Sequence, residues 1–394
     1  MSKPINSALE DVAGDDTLVY LPPGRYRMDE AWSQMEFENF GIYGPDATLV
    51  PPSGYDDDLF VLGNQRSARR LLLDGLTFDV SATGTGPRIV HATVADGLLV
   101  RDVSVTGLQD TGRGLTRFDV TDPDGRGQVQ RLELPDGGAP NGRATGCLVG
   151  PQSEGRIAFH DCTIVGFPDN GLYASPSPGI VDVYGGRYAN NGIASVRVSG
   201  GGVVSGVHVV CDESRDGVEN MRGIRLRGGS GTIVRNCRIE ITEVTDSGGA
   251  MTLSNAMGSA TIEGTVIRVD AEGVPAIRAK RPSEAGENGA TNRLVCENVA
   301  ISGSTSEKYA IRVVGREGSK FRNLCVRQLG QNRDGIVFVQ SDGSAVTHSQ
   351  LNVTGDPIVE DQSQVRTSGV DTGGTNSCEG SPFSARTNSR ASAE

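Results

Sequence analysis

Bulky side chains are scarce in this chain of 394 residues: aromatic residues make up 5%, tryptophan occurs once, and lysines are few. That scarcity, beside 54 glycines, argues against a bulky globular core and for bends and stacked small residues. No apolar run is long enough to span a membrane. The opening Met1-Ser2-Lys3-Pro4 leads into neither an apolar h-region nor twin arginines. The sequence therefore predicts a protein that works inside the cell, or one that leaves by another route such as assembly into a particle released by lysis. The seven cysteines include no C-x-x-C pair, and His91, His160, His208 and His348 lack ligand spacing, so no structural metal site is expected. A net charge of −12 excludes nonspecific binding to phosphate backbones, hence no nucleic-acid partner. Acid excess with arginine as the main base fits a halophilic host.

What is present is a repeat. Between Gly155 and Gly228 the chain cycles through a strand-like run, an Asp/Asn/Gly bend, a second short run, a loop and a third run opening with glycine. Apolar residues after that glycine align as Leu172, Ile193, Ile224, Met251, Ile277, Ile311, Ile336 and Ile358. The bends align as Asp74-Gly75, Asp102-Val103, Asp161-Cys162, Asn236-Cys237, Asn298-Val299 and Asn323-Leu324. Short β-branched runs at a recurring period, with no αβ alternation, describe a solenoid of three-strand coils. Period-2 alternation in GIRLRG puts Ile224 and Leu226 inside and Arg225 and Arg227 outside. Bend residues are expected in left-handed geometry, stacked about 4.8 Å apart. Cys162 and Cys237, directly after a bend, are expected in the core as small fillers.

Residues 1–14 read as a capping helix, with Ile5, Ala8, Leu9 and Val12 on one stripe, Asn6 or Ser7 as cap and Gly14 as stop. Coils then fill 15–366. Within them, 108–150 reads as an inserted hairpin arm, because LTRFDVTDPDGRGQVQRLELPDG alternates on both sides of Asp122-Pro123-Asp124-Gly125. The arm either projects as a partner contact or folds back on the coils. Residues 367–394 form a polar Gly/Ser/Thr-rich tail that by itself should be disordered.

The opening LVYLPPGRYRM and GIYGPDATLVPP, with the later FPDNGLYAS, NNGIASVRVSG and RGIRLRGGSGTIVRN, resemble right-handed parallel β-helix proteins of the pectin-lyase-like class, including haloarchaeal and tailed-virus spike repeats. The resemblance spans roughly residues 5–360. It implies an all-β, single-stranded right-handed parallel β-helix of about 11 coils and fits a homotrimer, as in tailspikes. It says little of function, because this scaffold serves lyases, hydrolases and adhesins alike. The polygalacturonase-like members place carboxylates on successive coils. Here Pro168-Asp169-Asn170 has an amide at the key position, followed by Asn190-Asn191 and then Asn220-Met221-Arg222. Amides do not transfer protons at ordinary pH, so the catalytic set for hydrolysis is expected to be absent. A lyase would need a basic residue and Ca2+ held by carboxylates, for which Asp212, Glu213, Asp216 and Glu219 are the runner-up catalytic loop. Otherwise no cofactor is expected.

The outward face of the third run reads Tyr173, Ala194, Arg225, Thr252, Arg278 and Arg312, with Arg227 and Lys280 two residues on. A basic stripe on an acidic protein suits carboxylate or sulfate groups. It predicts Tyr173, Arg225, Arg227, Arg278, Lys280 and Arg312 as ligand-binding residues. The alternative pairs these arginines with Asp216, Glu243 and Glu272, or buries them between subunits. The functional expectation is a non-enzymatic surface protein: a virion spike, turret or fibre engaging cell-surface acidic glycan or glycoprotein beside other virion proteins. A lyase or hydrolase acting on acidic polysaccharide is the alternative.

Overall fold

The computed structural model describes residues 4–140, 142–176, 178–283 and 292–373. Contacts divide the chain into two compact units, one holding residues up to 200 together with 215–221, the other holding 201–214 and 222 onward. Each unit is a parallel β-helix whose turns carry three short strands. Within each unit the third strands of successive turns join one sheet. In the first unit these strands are Trp32–Gln34, Asp58–Leu62, Arg88–Val94, Thr116–Val120, Cys147–Val149, Leu172–Ala174 and Ala194–Val198. In the second they are Arg222–Leu226, Met251–Leu253, Ile277–Ala279, Tyr309–Val314, Asp334–Val339 and Ile358–Asp361.

The other two strands of a turn nearly run together. Glu38–Val50 pairs with Thr17–Tyr20 over its first half and with Gly24–Arg27 over its second, the chain bending at Asp46 with φ 63°. Bends behave as their residue types require. Asp102, Asp161, Asn236, Asn298 and Asn323 all take φ between 51° and 55°, and at the first bend Gly75 takes the left-handed position. In the second unit the Asn323 side-chain amide donates to Asn298 Oδ1 at 2.6 Å, one rung of the expected ladder.

Alternation fills the interior. Ile224, Met251, Ile277, Ile311 and Ile336 are all fully buried in one register-matched column. Cys162 and Cys237 are buried and free. Several aromatics stack inside: Trp32 lies 5.7 Å from Phe60, and Phe321 lies 5.4 Å from Phe338 in edge-to-face contact.

Four expectations are corrected. Residues 108–150 form no hairpin arm: Thr116–Val120 and Arg126–Gln130 each pair in parallel with the turns before and after them. The Asp122–Gly125 turn carries the chain from one sheet to the next instead of reversing it, because neighbouring turns offer each strand a better-matched partner. In the aligned column Val196, not Ile193, is the register partner of Leu172, so Ala194 is buried and Arg197 faces out beside Tyr173. The helix spans Asn6–Val12 with Ile5 as its uncapped N-terminal residue, while Val12 is 51% exposed. Asn6 instead anchors the helix by donating to Glu30 O at 2.9 Å. Finally, Val365–Asp371 pairs with the preceding turn, so the β-helix runs past 366; the tail from 374 lies outside the described residues.

Candidate functional site

In the second unit the outward column of the third-strand sheet is Arg225, Thr252, Arg278, Arg312 and Val337, each the register partner of the next. Parallel strands about 4.8 Å apart crowd three guanidiniums into a short groove. Beyond the strand ends the register continues through Arg227, Ser254 and Lys280, since Ser254 N donates to Leu226 O and Lys280 N to Leu253 O. Burial, and then Arg278, Arg222 and Arg225, press the Lys280 ammonium below its ordinary value. Among the described residues Arg227, Arg278, Lys280 and Arg312 form no ion pair. Arg312 lies 5.8 Å from the centre of the Tyr309 ring. The floor is polar as well: Thr252 is 4% exposed and its hydroxyl has no hydrogen-bond partner, with Arg225 and Arg278 on either side.

Five of the six expected ligand residues, all but Tyr173, therefore converge in one unit. Tyr173 belongs to the first unit, where the Arg197 guanidinium sits 3.9 Å over its ring. The runner-up carboxylates Asp212, Glu213, Asp216 and Glu219 are all exposed. No group of three or more potential ligating side chains that could hold a metal ion occurs among the described residues. Of the amides at the expected hydrolase positions, Asn191 braces a turn: it accepts from Phe167 N at 2.9 Å and donates to Ile164 O at 3.0 Å.

Sequence reading missed a second cluster, on and beside the third strands of the first unit. Asp58 accepts from Arg113 at 2.9 Å and lies 3.2 Å from His91 Nδ1, with Arg88 at 3.7 Å. Burial pushes the Asp58 carboxyl up, but His91, Arg88 and Arg113 outweigh it and hold it below the usual range. His91 is the register partner of Arg117, whose Nε meets the fully buried Asp119 at 2.7 Å. These residues come from three turns separated by some 30 positions each, and no local motif joins them. Asp169, next to Asn170, was passed over too; burial raises its carboxyl pKa, and Thr145 donates to it at 3.0 Å.

No family model matches the chain, and no curated protein matches it. Solved structures do. The mannuronan C-5 epimerase AlgE6 A-module of Azotobacter vinelandii aligns at 12% identity over 94% of each chain, with a TM-score of 0.49. The surface adhesin PfbA of Streptococcus pneumoniae aligns at 11% identity over 94% of this chain and 96% of its own, TM-score 0.45. DFA-IIIase of Arthrobacter chlorophenolicus aligns at 14% identity over 94% and 90%, TM-score 0.40. These are structures the chain is similar to in fold. Its class, a parallel β-helix, follows from its own strand pairing.

Proposed function

We propose that the chain is an acidic-glycan-binding β-helix whose second unit captures carboxylate or sulfate groups along Arg225, Thr252, Arg278 and Arg312, with Arg227 and Lys280 at the rim. One observation carries the reading: Arg225, Arg278 and Arg312 stand in one outward register on neighbouring strands, with Lys280 beside them held below its ordinary value by burial and by Arg278, Arg222 and Arg225. Guanidiniums in register along parallel strands match a polymer that repeats its anionic groups. The proposed setting is a surface protein, with a virion spike, turret or fibre as the finer form and a homotrimer as its assembly. Titration calorimetry against polygalacturonate, heparin and neutral dextran tests the binding. The two acidic polymers should bind and dextran should not, and Arg225→Ala with Arg278→Ala should abolish binding. An unchanged double variant would end this reading.

A second reading, a polysaccharide lyase or hydrolase, is favoured by the Asp58–His91 pair. A carboxylate that engages Nδ1 orients the imidazole and leaves Nε2 for proton transfer. Calcium would belong only to a lyase. Product analysis after incubation with acidic polysaccharides separates the readings: new unsaturated or reducing ends that vanish in His91→Ala would establish catalysis.

A further inference from the structure

Two arginines of the second unit, Arg316 and Arg333, are fully buried. A buried cation is costly unless its donors are all met. Arg316 meets them without a carboxylate. Its Nε donates to Lys280 O at 2.9 Å, Nη1 to Gly258 O at 2.5 Å and Asn292 O at 2.9 Å, and Nη2 to Met257 O at 2.8 Å and Ser254 O at 3.4 Å. A guanidinium has five N–H donors, and here five backbone carbonyls take them. Burial lowers its pKa to about 10, so the cation persists at neutral pH.

Two of those carbonyls belong to Ser254 and Lys280, the outer column of the basic groove. The third member is tied in as well, because the Ser254 hydroxyl donates to Arg227 O. One internal cation thus holds the backbone from which Lys280 projects and, through Ser254, that of Arg227. Arg333 supplies a contrast within the same unit. It is equally buried but donates to Gln328 Oε1 at 2.9 Å, Glu307 O at 2.8 Å and Val274 O at 2.9 Å, none of them in the groove columns.

We infer that Arg316 is a positioning residue for the basic groove: its guanidinium fixes the strand ends so that Arg227 and Lys280 stay beside Arg225 and Arg278 despite mutual repulsion. This rests on the glycan-binding reading for its purpose and on the carbonyl cage for its mechanism. Lysine cannot replace it fully, since three donors leave two of five carbonyls unmet.

The test uses the full chain as wild type, Arg316→Met, Arg316→Lys and Arg333→Met, with two readouts. The first is affinity for polygalacturonate by calorimetry. Arg316→Met should bind about tenfold more weakly, Arg316→Lys about threefold, and Arg333→Met within about twofold of wild type even if equally destabilised. The second needs no ligand: the pH dependence of Lys280 acylation, read by peptide mass mapping. Loss of the cage lets Lys280 move off Arg278, Arg222 and Arg225, so its titration should shift to higher pH in Arg316→Met and not in Arg333→Met. If Arg316→Met fails to fold, the same shift in Arg316→Lys serves. Should wild type bind no acidic polymer while the acylation shift occurs, the glycan reading falls and the positioning role stands. Unchanged acylation in the Arg316 variants, or an equal shift in Arg333→Met, overturns the inference.

Discussion

At the residue scale the groove's chemistry is clearest in Thr252. A buried hydroxyl with no partner costs roughly 1–3 kcal/mol, and this one sits between two arginines that would hold an anion above it. Thr252→Val should therefore leave stability equal or about 1 kcal/mol higher by urea unfolding. The same change should weaken acidic-polysaccharide binding about threefold by calorimetry. Glu240 gives a pH prediction. The Arg238 hydrogen bond, against burial and with help from His208, lowers its pKa from 4.5 to about 2. A carboxylate depressed on folding adds stability that is present above 4.5 and lost as pH falls toward about 2. Unfolding midpoints should drop across that window in wild type and drop less in Glu240→Gln.

At the scale of the element, turns decide what each strand can do. Gly186 has φ 86°, and a Cβ there would lie 2.3 Å from Cys162 O, the backbone of the previous turn. Gly200 is also left-handed, at φ 51°, yet nothing lies within 4 Å of its would-be Cβ. Gly186→Ala pays for strain and collision together and should cost at least about 3 kcal/mol, whereas Gly200→Ala should cost about 1–2 kcal/mol. Chemical unfolding of the two variants compares them directly. Asn323→Ala removes both a residue tolerant of φ 55° and the rung to Asn298, and about 1–2 kcal/mol is expected.

At the scale of the whole molecule, a net charge of −12 coexists with a groove of like cations in one unit. Over distances beyond about 10 Å at 0.1 M salt the acidic surface is screened from an approaching polymer, while contacts inside the groove are not. Binding of an acidic glycan should weaken about tenfold between about 0.05 and 0.5 M salt, because ion contacts release counterions. Calorimetry over that range checks it; salt-independent affinity would mean that apolar contact, not charge, holds the ligand. No helix among the described residues is long and apolar enough to cross a membrane.

Glycine and Asx bends and β-branched alternation act locally, so the coil was legible in the chain, and Ile224, Leu226, Asp102 and Asn298 could be placed from their neighbours alone. The same alternation aimed Arg225, Arg278 and Arg312 outward. Which turns stand in register was settled by packing across the coil, because pairing joins residues 27 positions apart at Ile224 and Met251 and 34 apart at Ile277 and Ile311. That put Val196 where Ile193 was expected, Arg197 on Tyr173, and the supposed hairpin strands into the stack. It also brought Asp58 to His91 and closed five distant carbonyls around Arg316, since burial and hydrogen bonding across turns leave no periodic mark on the chain.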